Sequence, residues 1–278
     1  MSLYITSLNS GSNRNCYYVG NEQDAILVDA GISCRETERR LSRLNLSMTK
    51  VRAVFISHEH SDHIRGLTVL SKKYQIPVYI TAGTMRSGFL NLDPACVKPF
   101  RAGDPVQIGN LTITPFLKHH DAADPHSFMV SCNGIRVGVF TDLGIPCNQL
   151  VYYFSQCHAA FLEANYDEQM LDKGNYPIYL KNRIRGGKGH LSNRQALNLF
   201  IKHRSPYLSH LLLAHLSQNN NDPQLVTDLF NEHADGVKMI VASRHKETDV
   251  FHINGTCSGI DPFSGSNRSV QSMQISLF

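Results

Sequence analysis

Several features are missing from this sequence. No apolar run approaches the eighteen or so residues a membrane-crossing helix needs, and the start, "MSLYITSLNS", has no basic stretch followed by an apolar one. Neither a membrane span nor an export signal is therefore expected, and the chain reads as soluble and cytoplasmic. Its seven cysteines are odd in number, dispersed and never spaced as C-x-x-C. That argues for reduced thiols and against a thiolate zinc knuckle. Net charge is only +4, with 18% charged residues, so a histone-like polycation is excluded. The mild basic bias is compatible with an anionic substrate without demanding one. No internal repeat is evident.

What is abundant is histidine, fourteen in 278 residues. A hydrophobic content of 42% is enough to bury a full core. Strand patterns fall at 3–8, 16–20, 24–30, 51–57, 77–81, 106–109, 111–118, 126–133, 135–141 and 158–163, with later ones near 209–214, 237–242 and 248–253. The spacing predicts a helix over 34–45 with Ser33 as N-cap. A second follows Ser192 or Asn193, with Leu197, Phe200 and Ile201 on one face. A third is set by Asp222-Pro223 before "QLVTDLFNEH". Strands first, then strands mixed with helices, imply an α/β chain of two sheets covered by helices. Residues 1–253 form the expected domain. Residues 254–278, rich in Gly, Ser and Asn before a final "QISLF", read as a flexible tail.

The segment "SHEHSDH" (57–63) ends a buried-strand pattern. His58, His60 and Asp62 share one register of an extended chain, and His63 requires a turn to rejoin them. Such a segment can serve two neighbouring ions. Imidazole and carboxylate without thiolate suit Zn²⁺ or Mn²⁺, and Fe²⁺ as well. Further donors stand at the ends of later apolar runs: His119 and His120 in "FLKHHDAADP", Asp142 in "VGVFTDLG" and His215 in "LLLAHLSQNNND". Acids or histidines at successive strand ends make one pattern, although Asp142 alone could merely start a turn.

The set "LVDAG" (27–31), "SHEHSDH", His120, Asp142 and His215, in this order, resembles the metallo-β-lactamase superfamily. That resemblance implies an αββα sandwich of two mixed β-sheets flanked by helices, carrying two divalent metal ions. By resemblance, His58, His60 and His120 hold the first, Asp62, His63 and His215 the second. Asp142 bridges them, Asp62 also aims the attacking hydroxide, and Asp29 supports a ligand or loop. The scaffold hosts many chemistries. "GGKGHLSN" (186–193) resembles a stretch of tRNase Z relatives in which the histidine donates a proton, which implies His190 as general acid. "FLEANYD" (161–167) is similar to the glutamate-bearing segment of those relatives, making Glu163 the residue that holds His190.

Together with "LNSGSNRNCYYVG", "HHDAADP" and "AHLSQNNN", these motifs resemble YycJ/WalJ-type metallo-hydrolases over nearly all of residues 1–253. The resemblance implies a 5′-3′ DNA exonuclease of replication or repair. Arg14 and His126 depart from the usual small or aliphatic residues, which bears on substrate preference. Alternatives are a small-molecule phosphodiesterase or ester hydrolase, an RNA-processing nuclease, or mainly a clamp-binding partner. Lys181, Arg183, Arg185 and Lys188, just before His190, form a candidate phosphate track for nucleic acid. The terminal Gln274, Ile275, Ser276, Leu277 and Phe278 resemble the pentapeptide that binds the bacterial sliding clamp, with Ile275 in place of leucine.

Overall fold

The computed structural model describes residues 2–255. The pentapeptide at 274–278, and nearly all of the expected tail, lie outside the described residues. In chain order the elements are β1 (Leu3–Asn9), β2 (Cys16–Gly20), β3 (Ala25–Val28), α1 (Cys34–Arg43), β4 (Val51–Phe55), α2 (Ser61–Ile64), α3 (Leu67–Tyr74), β5 (Val78–Tyr79), α4 (Ala82–Ser87) and β6 (Val97–Lys98). There follow β7 (Val106–Ile108), β8 (Leu111–Leu117), β9 (His126–Cys132), β10 (Ile135–Phe140), α5 (Asn148–Phe154), β11 (Ala159–Glu163), α6 (Glu168–Lys173) and α7 (Ile178–Arg185). Last come α8 (Asn193–His203), β12 (His210–Ala214), α9 (Pro223–Asn231), β13 (Lys238–Val241) and β14 (Phe251–Ile253).

Two seven-stranded sheets result, in the orders β14-β1-β2-β3-β4-β5-β6 and β13-β12-β11-β10-β9-β8-β7. Strands buried on both faces must be apolar at consecutive positions, and these are. In β11, Ala159 and Phe161 face the core between the sheets, while Ala160 and Leu162 face the helices outside. In β3, Ile26 and Val28 point between the sheets, and Ala25 and Leu27 point to the outer layer with Leu41 of α1 and Leu67 of α3. Three apolar layers therefore separate four layers of structure, the αββα arrangement expected of the chain.

The capping signals read correctly. Ser33 accepts from the Glu36 amide, Ser192 forms a full capping box with Gln195, and Asp222 accepts from the Gln224 and Leu225 amides with Pro223 in the first turn. One face was misread: Leu197 and Phe200 are buried, but Ile201 is exposed and Ala196 and Leu199 take its place. The short helices α2 to α4 and the exposed α7 lack the long apolar period that makes a helix legible. The six described cysteines are free. No helix of the described residues is long and apolar enough to cross a membrane.

Candidate metal centre

Parallel strands end side by side, so side chains just past their C-terminal ends converge. Here the loops after β3, β4, β8, β10, β11 and β12 bring together Asp29, the 57–63 segment, His120, Asp142, Glu163 and His215. The segment after β4 turns at once into α2, which returns His63 beside Asp62. Its path is braced from two loops: Asn15 N, between β1 and β2, donates to Asp62 O at 2.7 Å, and Ala30 N, after β3, donates to His63 O at 2.8 Å. Gly31 is needed there because a Cβ would lie 1.7 Å from the Asp62 carbonyl oxygen. That accounts for the glycine of "LVDAG".

Two donor groups face one another. His58 Nε2 and His60 Nδ1 are 3.0 Å apart, and His60 Nδ1 and His120 Nε2 are 3.2 Å apart. His63 Nε2 and His215 Nε2 lie 3.2 and 3.4 Å from Asp62 Oδ2. Asp142 sits between the groups, Oδ2 at 3.3 Å from His63 Nε2 and Oδ1 at 3.5 and 3.7 Å from His215 and His120. His119, the neighbour of His120, is exposed and takes no part.

The outer nitrogens of four of these rings, all but that of His60, are already committed. His63 Nδ1 donates to Asp29 Oδ2 at 2.7 Å, and His215 Nδ1 to Glu163 Oε1 at 3.0 Å. His120 Nδ1 donates to Gly189 O at 3.0 Å. The Ser57 hydroxyl gives its proton to Asp29 Oδ2, so its oxygen accepts from His58 Nδ1 at 2.9 Å. His58, His63, His120 and His215 thus each turn Nε2 inward, whereas His60 turns Nδ1 inward. The Nε2 atoms of His58 and His120 both face His60 Nδ1, which can carry a proton for only one of them, and a cation among the three would satisfy all. The buried Asp142 Oδ2 also has no hydrogen-bond partner. Donor set, tautomers and orphaned oxygen all fit divalent metal.

Burial drives His58 well below its ordinary value and pulls His120 down to about 4, as suits neutral imidazole ligands. Burial would also lower His215, but Asp142, Asp62 and Glu163 outweigh it and leave the ring raised to about 10. Burial opposes ionisation of Asp142, yet His215, His63 and Lys118 hold it far below the usual carboxylate range. Lys118, buried two residues before His120, donates to Thr141 O at 2.8 Å with Nζ 4.0 Å from Asp142 Oδ2. Its only sequence signal is a charge inside an apolar strand pattern. Asn15 was missed too; its amide donates to Asp62 Oδ2 at 3.0 Å.

Glu163 is wholly buried. One oxygen meets both His190 Nδ1 (2.8 Å) and His215 Nδ1; the other accepts from the Leu143 and Leu191 amides (2.6 and 3.2 Å). His190 lies within 5.3 Å of both the His120 and His215 rings, its side chain 20% exposed. Around it the structure rearranges the expected basic track. Lys181 donates to Asp172 O at 2.7 Å, Arg183 pairs with Asp121, and Arg185 pairs with Asp172. Lys188 has no acidic partner among the described residues. Gly189 serves packing: a Cβ there would lie 2.1 Å from the Ile184 carbonyl at the end of α7. His126 is buried against Phe100, ring centroids 5.0 Å apart, and Arg14 is half-buried one residue before Asn15.

A two-sheet αββα sandwich with a histidine–aspartate cluster on its strand-end loops defines a metallo-β-lactamase-fold hydrolase. The Beta-lactamase superfamily domain matches residues 24–215, and the chain belongs to that superfamily. It is 34% identical over 230 residues to Exodeoxyribonuclease YycJ of Bacillus anthracis, covering 81% of this chain and 86% of that protein. Exodeoxyribonuclease WalJ of Streptococcus pneumoniae is 31% identical over 223 residues, 78% of this chain and 83% of that one. Among solved structures, the metallo-beta-lactamase fold protein YhfI from Bacillus subtilis superposes with a TM-score of 0.69 at 17% identity, over 91% of this chain and all of that one. This last is a likeness of fold alone.

Proposed function

We propose that the protein is a metal-dependent DNA phosphodiesterase that removes nucleotides from the 5′ end of a strand, working in the cytoplasm in replication or repair. The observation that carries this reading is the Glu163–His190 pair beside the donor cluster. A sugar alkoxide is a poor leaving group until protonated, and His190 is a solvent-reachable imidazole oriented by a buried carboxylate. The choice of DNA leans on the two relatives, each an exodeoxyribonuclease by name.

His58, His60 and His120 would hold one ion and Asp62, His63 and His215 a second, with Asp142 between them; Zn²⁺, Mn²⁺ and Fe²⁺ all suit these donors. When bound, the ions supply Lewis acidity, polarising the phosphoryl group and making water acidic enough to attack near neutral pH. Asp62 accepts a hydrogen bond from the attacking water and aims it at phosphorus. His190 gives its Nε2 proton to the departing sugar oxygen while Nδ1–H stays on Glu163, which stabilises the charged ring beforehand. Because the same Glu163 oxygen holds His215, the proton donor and the metal pocket share one anchor.

Incubation with Mn²⁺ and end-labelled duplex DNA tests the proposal: mononucleotides should leave from the 5′ end. Robust hydrolysis of a small phosphodiester without DNA degradation would favour the small-molecule reading instead. The clamp-binding reading of residues 274–278 is tested separately. Their deletion should abolish sliding-clamp binding and spare basal activity; unchanged clamp affinity ends it.

A further inference from the structure

A hollow of about 490 Å³ opens beside the metal cluster on the first-sheet side. Glu59 and Ser61, interleaved with the ligands of the 58–63 segment, form one wall. Asn13, two residues before the Asn15 that holds Asp62, forms another, and Arg65 and Ser87 complete it. The Glu59 carboxylate is half engaged: Oε1 accepts from the Ala123 amide at 2.7 Å, and the buried Oε2 has no hydrogen-bond partner among the described residues. It ties the His120 loop to the 57–63 segment. Arg65 has no acidic partner among the described residues. Nor does Arg86, next to Ser87, which looks into an adjoining hollow of about 760 Å³ with Arg101, Asp104 and Asp124.

Phe89 stands at the rim, one residue past Gly88 at the end of α4. It is 94% exposed and has φ 48. That is the left-handed position where helices usually place glycine, and a bulky side chain is rare there. Phenylalanine breaks the local backbone rule and gains no packing in return. A residue that is locally unfavourable and structurally idle is one to examine for function. An exposed aromatic ring flanked in sequence by Gly88 and Leu90 of the lining, with one unpaired arginine on that lining and another three residues before the ring, is an arrangement that grips an unpaired nucleic-acid strand: a base on the ring and phosphates on the arginines.

We infer that this hollow is the path of an unpaired strand running to or from the metal centre, with one base stacked on Phe89 and flanking phosphates on Arg65 and Arg86. The inference rests on the nucleic-acid reading of the active site and names the part of the surface that reads the strand. It also assigns the strand to the first-sheet side, away from α7, where three of the four basic residues are engaged elsewhere.

The chain contains no tryptophan, so Phe89→Trp places a single reporter at the rim. Titrating a single-stranded oligonucleotide into that variant in the full chain should quench its fluorescence. Phe89→Ala should weaken binding of the same oligonucleotide roughly tenfold. Arg65→Ala with Arg86→Ala should flatten the slope of log affinity against log salt by about 1.4, two single-strand phosphate contacts. All three should hydrolyse bis(p-nitrophenyl) phosphate as the wild type does, because none touches the metal cluster. No quenching, with single-strand affinity and processing unchanged in Phe89→Ala, overturns the proposal while leaving the nuclease reading intact. A wild-type protein that hydrolyses the small diester but neither binds nor cleaves DNA overturns both.

Discussion

The two sheets follow one plan and use it differently. In each, three antiparallel pairings are followed by three parallel ones: β14 to β3 and then β3 to β6 in the first, β7 to β10 and then β10 to β13 in the second. At the matching turn from antiparallel to parallel, each sheet carries a buried aspartate in the left-handed region: Asp29 (φ 63) after β3 and Asp142 (φ 56) after β10. Asp29 turns back into its own half, where both oxygens are taken by Ser57 and His63. Asp142 leaves Oδ2 without a hydrogen-bond partner among the ligand nitrogens. Equivalent places on equivalent sheets thus hold a support and a candidate bridge. What separates them is the neighbours: a hydroxyl, an amide and one imidazole beside Asp29, and the inward nitrogens of His63, His120 and His215 beside Asp142.

That contrast can be broken directly. Asp142→Asn should reduce DNA cleavage by roughly a thousandfold and strip bound metal, because a buried charge worth about 3–5 kcal/mol to its partners is lost. Asp29→Asn should weaken metal affinity by only about 10–100-fold, the usual scale for a residue that orients a ligand. Metal content and kcat on the two variants measure the difference; equal losses would erase the distinction between support and bridge.

His190→Ala should lower kcat by about 10²–10⁴-fold while retaining metal. A general acid matters only where the leaving group needs its proton, so the loss should be far smaller on bis(p-nitrophenyl) phosphate, whose nitrophenolate leaves without one. Equal losses on DNA and on that diester would remove His190 as proton donor and leave the second sheet a purely ligating role.

Divalent metal at a hundredfold excess over its Kd should stabilise the chain by about 2.7 kcal/mol. Thermal unfolding should then shift upward by roughly 5–10 °C. With Asp142→Asn, most of that shift should vanish. The smallest effect concerns pH in metal-free protein. His120 is held down to about 4, below its ordinary unfolded value of about 6.5. Its contribution is therefore complete above 6.5 and is lost as pH falls towards 4. Urea midpoints measured at pH 7 and pH 5 should show the decline, and it should shrink in His120→Gln.

The first sheet's share of the site was legible because it is local: four candidate ligands and the supporting Ser57 hydroxyl fall within seven residues, three of the four in a register the strand period makes visible. The second sheet's share was legible only as a series of polar residues ending apolar runs. Nothing in "KHHD" says which histidine turns inward; the strand places successive side chains on opposite sides, and His120 rather than His119 reaches the cluster. The exposure of Ile201 shows the same limit, since a helix period marks an apolar stripe but not its edges. The free or paired state of Lys181, Arg183 and Arg185 depends on Asp121 and Asp172, which only the folded chain brings near.

By itself, then, the sequence determined the αββα layers, the helix caps and the inventory of donors, because burial on both faces of a strand, capping and register are written in neighbouring residues. The tertiary structure decided which donors share one pocket, which nitrogen of each imidazole faces inward, and which arginines remain unpaired. Those properties belong to pairs of residues tens to hundreds of positions apart, and no local pattern encodes them.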